Sequence, residues 1–183
     1  MSQTKIDQQA WPYIKNFRTY IDIGAHDGDT SYPYVKKFSK VVAFEPNPLT
    51  FKKIPNSIEK YNLALGDIKE QAVLVLPNNK MNNPAHGSIS RYKVGTGIKE
   101  FVVQVATLDD YNFSDVDFIK IDVEHYELKV CKGAIKTISK WKPTLFFENK
   151  RNEADDVIDW LKSLNIGYNV KKFKSDTVAY VDK

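Results

Sequence analysis

The alternation of short apolar runs, rich in β-branched residues, with segments of helical period constrains the fold of this chain more than any other feature. Strands are predicted at Thr19–Gly24, Val41–Phe44, Tyr61–Leu65, Ala72–Leu76, Phe101–Ala106, Val116–Val123 and Thr144–Glu148. Helices are predicted at about Thr30–Phe38, after Asn47-Pro48, along the stripe Leu128, Cys131, Ile135 and Ile138, and at about Ala154–Leu164. Strands that alternate with helices in this way favour a parallel sheet with helices on both faces.

The chain ends in two further apolar runs that predict a hairpin. Tyr168–Phe173 and Thr177–Val181 are separated by only a few residues, which is the spacing of an antiparallel pair. We therefore predict an α/β fold: a Rossmann-like, doubly wound, mostly parallel sheet with a C-terminal antiparallel hairpin. The length of 183 residues fits one domain over residues 1–183, in which residues 1–18 form an N-terminal helical extension.

The composition is that of an ordinary globular protein, with 42% hydrophobic and 27% charged residues. Cys131 is the single cysteine, so no internal disulfide can form, and a reducing, cytoplasmic location is expected. The lysines are scattered and the formal net charge is only +4, so no nucleic-acid partner is expected. No apolar run approaches the roughly 20 residues of a membrane span, and the N-terminus lacks a signal-peptide core, so no membrane partner is expected either.

The first strand leads into a glycine-bearing turn, YIDIGAHDGDTS, in which Gly24 and Gly28 would let a ligand approach the backbone. Taken alone, this spacing also fits a tight strand–helix turn without a ligand. Glu45 ends the next predicted strand 21 residues after Gly24, which is where a carboxylate accepts hydrogen bonds from the ribose hydroxyls of a bound nucleoside. The pair of features predicts a nucleoside site.

A second motif is the charged row Lys120, Asp122 and Glu124 in VDFIKIDVEHYE. Strand alternation places the three side chains on one face, where burial of charge is unfavourable unless the row lies at the ligand-binding carboxyl edge of the sheet. The alternative is a buried structural ion pair between Lys120 and one of the carboxylates.

The segments DIGAHDGDTS, AFEPNP, NLALGD, TLDDY, IKIDVEHYE and LFFEN, in this order from Tyr20 to Glu148, resemble the FkbM-family methyltransferases. The resemblance implies a class I S-adenosylmethionine-dependent methyltransferase, in a family whose members mostly methylate hydroxyls of sugars or natural products. The acceptor would then be a small molecule such as a sugar.

The resemblance also implies roles for individual residues. Those expected to hold the methionine part of the cofactor are Asp22, Gly24, Ala25, His26, Gly28, Thr30 and Ser31. Glu45, beside Pro46, would hold the ribose, and Asn62 and Asp67 would lie near the adenine. Asp122 and Glu124 would sit beside the methyl group, supported by Glu148.

Two positions depart from the family pattern: His26 stands where Asn is usual, and His125 where Gly is usual. His125 is a candidate general base and Lys120 would orient the carboxylates. The long Asn-, Gly- and Pro-rich stretch Pro77–Gly97 is expected to border the acceptor, and its candidate contacts are His86, Ser88, Ser90 and Arg91. The three histidines do not have metal-ligand spacing, so no metal site is predicted.

Two other functions share part of this pattern. A nicotinamide-dependent oxidoreductase would use the glycine turn and Glu45, but it would need neither the charged row nor the closing hairpin. A non-catalytic module that binds a nucleoside or S-adenosylmethionine would have a charged row with a purely structural role. A DNA amino-methyltransferase would carry an Asn/Asp-Pro-Pro-aromatic motif where this chain has Asp-Val-Glu-His.

Overall fold

The computed structural model describes residues 4–76, 88–90, 99–148 and 153–182, without the side chains of residues 88–90 and 153. Its strands are β1 Thr19–Ile23, β2 Lys40–Phe44, β3 Glu59–Tyr61, β4 Ala64–Leu65, β5 Glu70–Leu76, β6 Ser88–Ser90, β7 Lys99–Ala106, β8 Val116–Ile121, β9 Thr144–Glu148, β10 Tyr168–Lys172 and β11 Asp176–Val181. Its α-helices are α1 Pro48–Phe51, α2 Glu127–Lys132, α3 Ile135–Trp141 and α4 Glu153–Ser163.

Seven strands form the main sheet, in the order β10-β11-β9-β8-β1-β2-β3. The pairs β1–β2, β1–β8, β2–β3 and β8–β9 are parallel, whereas β11 is antiparallel to both β9 and β10. The mostly parallel Rossmann-like sheet and its closing hairpin are therefore confirmed. The chain builds outward from β1 to β3 and then returns to place β8 on the other side of β1. This reversal creates a crevice at the carboxyl ends of β1 and β8.

A second sheet, in the order β4-β7-β5-β6, is inserted between β3 and β8. Its central pair β5–β7 is antiparallel and runs in register from Glu70–Val105 to Leu76–Lys99. Alternate residues of these strands face a small apolar core that contains Ala72, Leu74 and Val103. The inserted sheet starts directly after β3, so it lies next to the edge of the main sheet that carries the crevice.

The two faces of the main sheet are covered differently. One face packs against α2, α3 and α4, whose apolar stripes include Cys131, Ile138 and Val157. The other face packs against an aromatic and aliphatic layer from the N-terminal segment and the turns after β1, in which Ile6 and Tyr34 are almost fully buried. The N-terminal segment itself consists of a π-helical turn at Ile6–Ala10 and a 3-10 turn at Trp11–Tyr13.

Four local predictions are wrong. The segment Thr30–Phe38 forms only a 3-10 turn at Tyr32–Tyr34, because Pro33 has no N–H to donate to the hydrogen bonds of a longer helix. The predicted strand Tyr61–Leu65 is divided into β3 and β4, which belong to different sheets. The strand predicted to reach Val123 ends at Ile121. The long helix after it is interrupted near Gly133, where the chain touches the backbone of Gly66 too closely for any side chain.

Candidate functional site

The glycine turn after β1 brings the ends of β1 and β8 together. Gly24 has a φ of +78°, and a Cβ at this position would lie 2.0 Å from the carbonyl oxygen of Asp122. Only glycine can therefore occupy this position without moving the end of β8. The turn continues through His26 and Gly28, which also have positive φ values of 54° and 85°.

Glu45, at the end of β2, ties this turn to the start of α1. Its Oε2 accepts a hydrogen bond from the backbone N–H of His26 at 2.8 Å, and its Oε1 accepts from the backbone N–H of Asn47 at 2.9 Å and from the Thr50 hydroxyl at 3.1 Å. The side chain is 7% exposed, and burial raises the pKa of Glu45 although these hydrogen bonds oppose the rise. A carboxylate has about four acceptor positions, so one on Oε2 remains for a ligand hydroxyl.

Lys120 and Asp122 of the charged row form an ion cluster with Asp22 at the crevice. Asp22 on β1 is paired in register with Lys120 on β8, so the two side chains are neighbours on the same face. The Lys120 ammonium lies 3.1 Å from Asp22 Oδ1 and 3.3 Å from Asp122 Oδ2. Burial alone would lower the pKa of Lys120, but the two carboxylates hold it above its usual value. The lysine is therefore shared between a buried and an exposed carboxylate.

Two cavities open at this edge of the sheet. The first, of about 140 Å³, lies between the main and inserted sheets; its polar lining comes from His26, Glu45, Asn47, Asp122 and Glu124, and its apolar lining from Phe44, Leu63, Leu65, Leu74, Leu76, Val123 and Tyr126. Gly24 and Pro46 also line it. It thus combines an apolar wall with a carboxylate at the end of β2.

The second cavity, of about 480 Å³, lies on the face covered by the N-terminal segment. It is lined by Thr4, Lys5, Ile6, Asp29, Thr30, Lys120, Ile121, Asp122, Glu124, Phe146, Glu148 and Asp176. Its volume is in the range typical of small-molecule sites. Asp122 and Glu124 line both cavities, so the two cavities adjoin at these two carboxylates.

The remaining residues predicted from the sequence lie around these cavities without lining them. Ala25 and Ser31 are buried in the glycine turn, and Asn62 donates through Nδ2 to the carbonyl oxygens of Glu45 and Pro46. Gly28, Asp67 and His125 also lie outside both linings. His86 and Arg91 lie outside the described residues, as do the side chains of Ser88 and Ser90.

Several lining residues have no counterpart among the sequence predictions. Leu74 and Leu76 reach the first cavity from the inserted sheet, and Lys5 reaches the second from the N-terminal segment. Their positions depend on long-range packing, and no local sequence motif identifies them. Asn47 was identifiable only as the residue that caps α1, a role it has through Oδ1.

Within the described ranges, no group of three or more His, Cys, Asp or Glu residues is arranged to hold a metal ion. None of the helices in those ranges is both long enough and apolar enough to cross a membrane.

Comparison with known proteins gives a family and a fold. The family model described as the methyltransferase FkbM domain matches residues 22–170. The FkbM methyltransferase from Methylobacillus flagellatus superposes with a TM-score of 0.65 at 18% identity; the match covers 90% of this chain and 44% of that one. The chain therefore spans less than half the length of this relative. No curated protein matches the chain significantly.

Two further solved structures share the fold over almost the whole chain. The precorrin-6y C5,15-methyltransferase from Geobacter metallireducens has a TM-score of 0.57 at 11% identity, covering 100% of this chain and 90% of that one. A Streptococcus mutans protein crystallised in complex with SAH has a TM-score of 0.54 at 11% identity, covering 98% and 99%.

Proposed function

The chain belongs to the FkbM methyltransferase family. We therefore propose that it binds S-adenosylmethionine at the crevice and transfers the methyl group to a hydroxyl of a small molecule, such as a sugar. The observation that carries the proposal is that the two cavities share Asp122 and Glu124 in their linings. A nucleoside in the first cavity and an acceptor in the second would face each other there.

The residues of the first cavity fit the adenosine part of this cofactor. The open acceptor position on Glu45 Oε2 can take a ribose hydroxyl, and the apolar wall that includes Leu74 and Tyr126 suits a flat purine. Gly24 has no side chain, so the cofactor could approach the backbone where it would cross from β1 to β8. The Streptococcus mutans protein with the same fold was crystallised with SAH, the product form of this cofactor, which supports the assignment.

The carboxylates at the junction supply the chemistry that an alcohol acceptor needs. When bound, the cofactor supplies an electrophilic methyl group on a sulfonium; the new C–O bond forms as the C–S bond breaks, and SAH leaves. Asp122, half exposed in the cleft, and Glu124 are placed to accept the hydroxyl proton. Lys120 fixes the direction of the Asp122 carboxylate, and the remaining walls position the acceptor.

The second cavity suits a polar, hydroxylated acceptor. Asp29, Thr30 and Glu148 provide hydrogen-bonding groups around it. Glu148 and Thr30 are therefore assigned to the acceptor side. His86, Ser88 and Arg91 remain candidates for the same role.

Calorimetric titration with S-adenosylmethionine, SAH and NAD tests the cofactor assignment. We expect binding of the first two and none of NAD; binding of NAD alone would overturn the proposal in favour of an oxidoreductase. Transfer of labelled methyl from S-adenosylmethionine to a panel of methyl glycosides then tests the acceptor class. Tight SAH binding without transfer to any hydroxyl compound would favour a non-catalytic binding module.

A further inference from the structure

Asp22 is enclosed at the crevice and does not reach the ligand space. Its exposed fraction is 0%, and it lines neither cavity, whereas Lys120 and Asp122 line the second. Its Oδ1 is bound to the Lys120 ammonium, and its Oδ2 is buried without a hydrogen-bond partner. In this arrangement a cofactor atom cannot touch Asp22 unless the ends of β1 and β8 move apart.

The charge of Asp22 nevertheless reaches the cavity through Lys120. The ammonium lies almost midway between the two carboxylates, at 3.1 Å from Asp22 and 3.3 Å from Asp122. Two carboxylates and one ammonium carry a net charge of −1. Because Asp22 is sealed and the Asp122 side chain is 51% exposed, the uncompensated negative charge is presented to the cavity on Asp122.

Without Asp22, the same lysine would neutralise Asp122. Coulomb attraction between unit charges a few ångströms apart is strong in a partly buried site, so Lys120 would hold Asp122 as a closed pair. The buried aspartate therefore affects the site only through the lysine, as a second counter-charge.

We propose that Asp22 is a positioning residue that, by sharing Lys120, keeps a net negative charge on Asp122 toward the sulfonium of the cofactor. This role rests on the proposed function, and it replaces the direct cofactor contact that the family resemblance implies for Asp22. The sulfonium of S-adenosylmethionine is positive and the sulfur of SAH is neutral. The ratio of their affinities therefore changes when the charge that Asp122 presents changes.

The test uses Asp22→Asn alone and together with Lys120→Met, in the full chain. Asp22→Asn keeps the shape but leaves the cluster neutral; adding Lys120→Met removes the ammonium and restores a net charge of −1 on Asp122. We expect Asp22→Asn to leave SAH affinity within about twofold and to reduce the preference for S-adenosylmethionine over SAH about tenfold. The double variant should recover most of that preference.

Asp117→Asn is the matched control. Asp117 lies on the same strand as Lys120 but at the opposite end of the sheet, where it is also buried and pairs with Arg18 at 2.7 Å. This variant should lower the melting temperature without changing either affinity.

Each of the other possible outcomes points to a different role for Asp22. Equal loss of affinity for both ligands in Asp22→Asn, without recovery in the double variant, would mean that Asp22 contacts the cofactor directly. A lower melting temperature with an unchanged affinity ratio would mean that Asp22 is only structural. Both results overturn the inference. If the unmodified protein binds neither ligand, the proposed function itself fails.

Discussion

The carboxylate of Glu45 should be needed for the stability of the site before any ligand binds. In the alanine variant, Glu45→Ala, the backbone N–H groups of His26 and Asn47 lose their acceptor at 2.8 and 2.9 Å, whereas the Thr50 hydroxyl keeps the Asn47 carbonyl oxygen at 3.1 Å. Each buried donor left unpaired costs about 1–3 kcal/mol. Removal of the buried charge offsets part of this cost, so we expect the free energy of unfolding to fall by about 2–4 kcal/mol.

Differential scanning calorimetry measures this loss. For a chain of this length, 1 kcal/mol shifts the melting temperature by about 2–4 °C, so a fall of about 5–15 °C is expected. Glu45→Gln keeps one acceptor oxygen, so its melting temperature should lie between those of the unmodified protein and Glu45→Ala. The control is Glu59→Ala, which removes an exposed carboxylate 2.8 Å from Lys40; a surface pair of this kind contributes only about 0–1 kcal/mol.

The pH dependence of the Glu45→Ala difference provides a second check. Because burial raises the pKa of Glu45 in the folded state, its contribution to stability is fully present below the unfolded value of about 4.5 and decreases as the pH rises through the folded value. The stability difference between the unmodified protein and the alanine variant should therefore grow on acidification. A melting temperature unchanged by Glu45→Ala, or a difference that shrinks in acid, would refute the structural role assigned to this carboxylate.

Four further variants test other parts of the structure. In urea unfolding, His125→Gly should be more stable than His125→Ala by about 1 kcal/mol. Both variants lose the imidazole ring, but only alanine keeps the strain of a φ of 64°. Equal stabilities of the two variants would contradict this. Gly133→Ala should destabilise by about 1–3 kcal/mol, since its Cβ would lie 1.8 Å from the Gly66 carbonyl oxygen, and an unshifted unfolding midpoint would show that the contact relaxes freely. The pKa of Asp7 is held low by hydrogen bonds from Thr4 and Tyr34 that outweigh its burial, so the stability lost in Asp7→Asn should be seen above pH 3.8 and vanish in stronger acid. Asp122→Asn should abolish methyl transfer yet lower the melting temperature by less than about 4 °C, because Lys120 keeps Asp22; transfer at the unmodified rate would exclude Asp122 as the base.

The main sheet could be predicted from the sequence because its signal is local. A buried parallel strand such as β2 contains a continuous apolar run, Val41–Phe44, and the closing hairpin is formed by two strands with a short connection. The inserted sheet could not be predicted, because the pairing of β5 with β7 joins segments more than twenty residues apart. No local pattern specifies which of several apolar runs a strand will pair with.

The misplaced helices have identifiable causes. Pro33 interrupts the segment after β1, and this cause is visible in the local sequence. The break near Gly133 has a tertiary cause instead: Asp109 accepts hydrogen bonds from the backbone N–H groups of Lys136 and Thr137 and so starts α3 from a distant segment. Such a cap, supplied from outside the helix, leaves no signature in the helical sequence itself.

The two departures from the family pattern have a common structural explanation. His26 and His125 both adopt left-handed backbone conformations, with φ values of 54° and 64°. Asn and Gly, the usual family residues at these positions, enter that region at low cost, and His is among the few other residues enriched there. The substitutions therefore preserve the backbone path that brings Gly24 to Asp122 and change only what projects from it. His26 lines the first cavity beside Glu45, whereas His125 lines neither cavity. Of the two departures, His26 is therefore the one that changes the lining of the proposed cofactor site. It follows that His125 can act as a base only if its ring moves toward the junction of the two cavities, whereas Asp122 and Glu124 already line it.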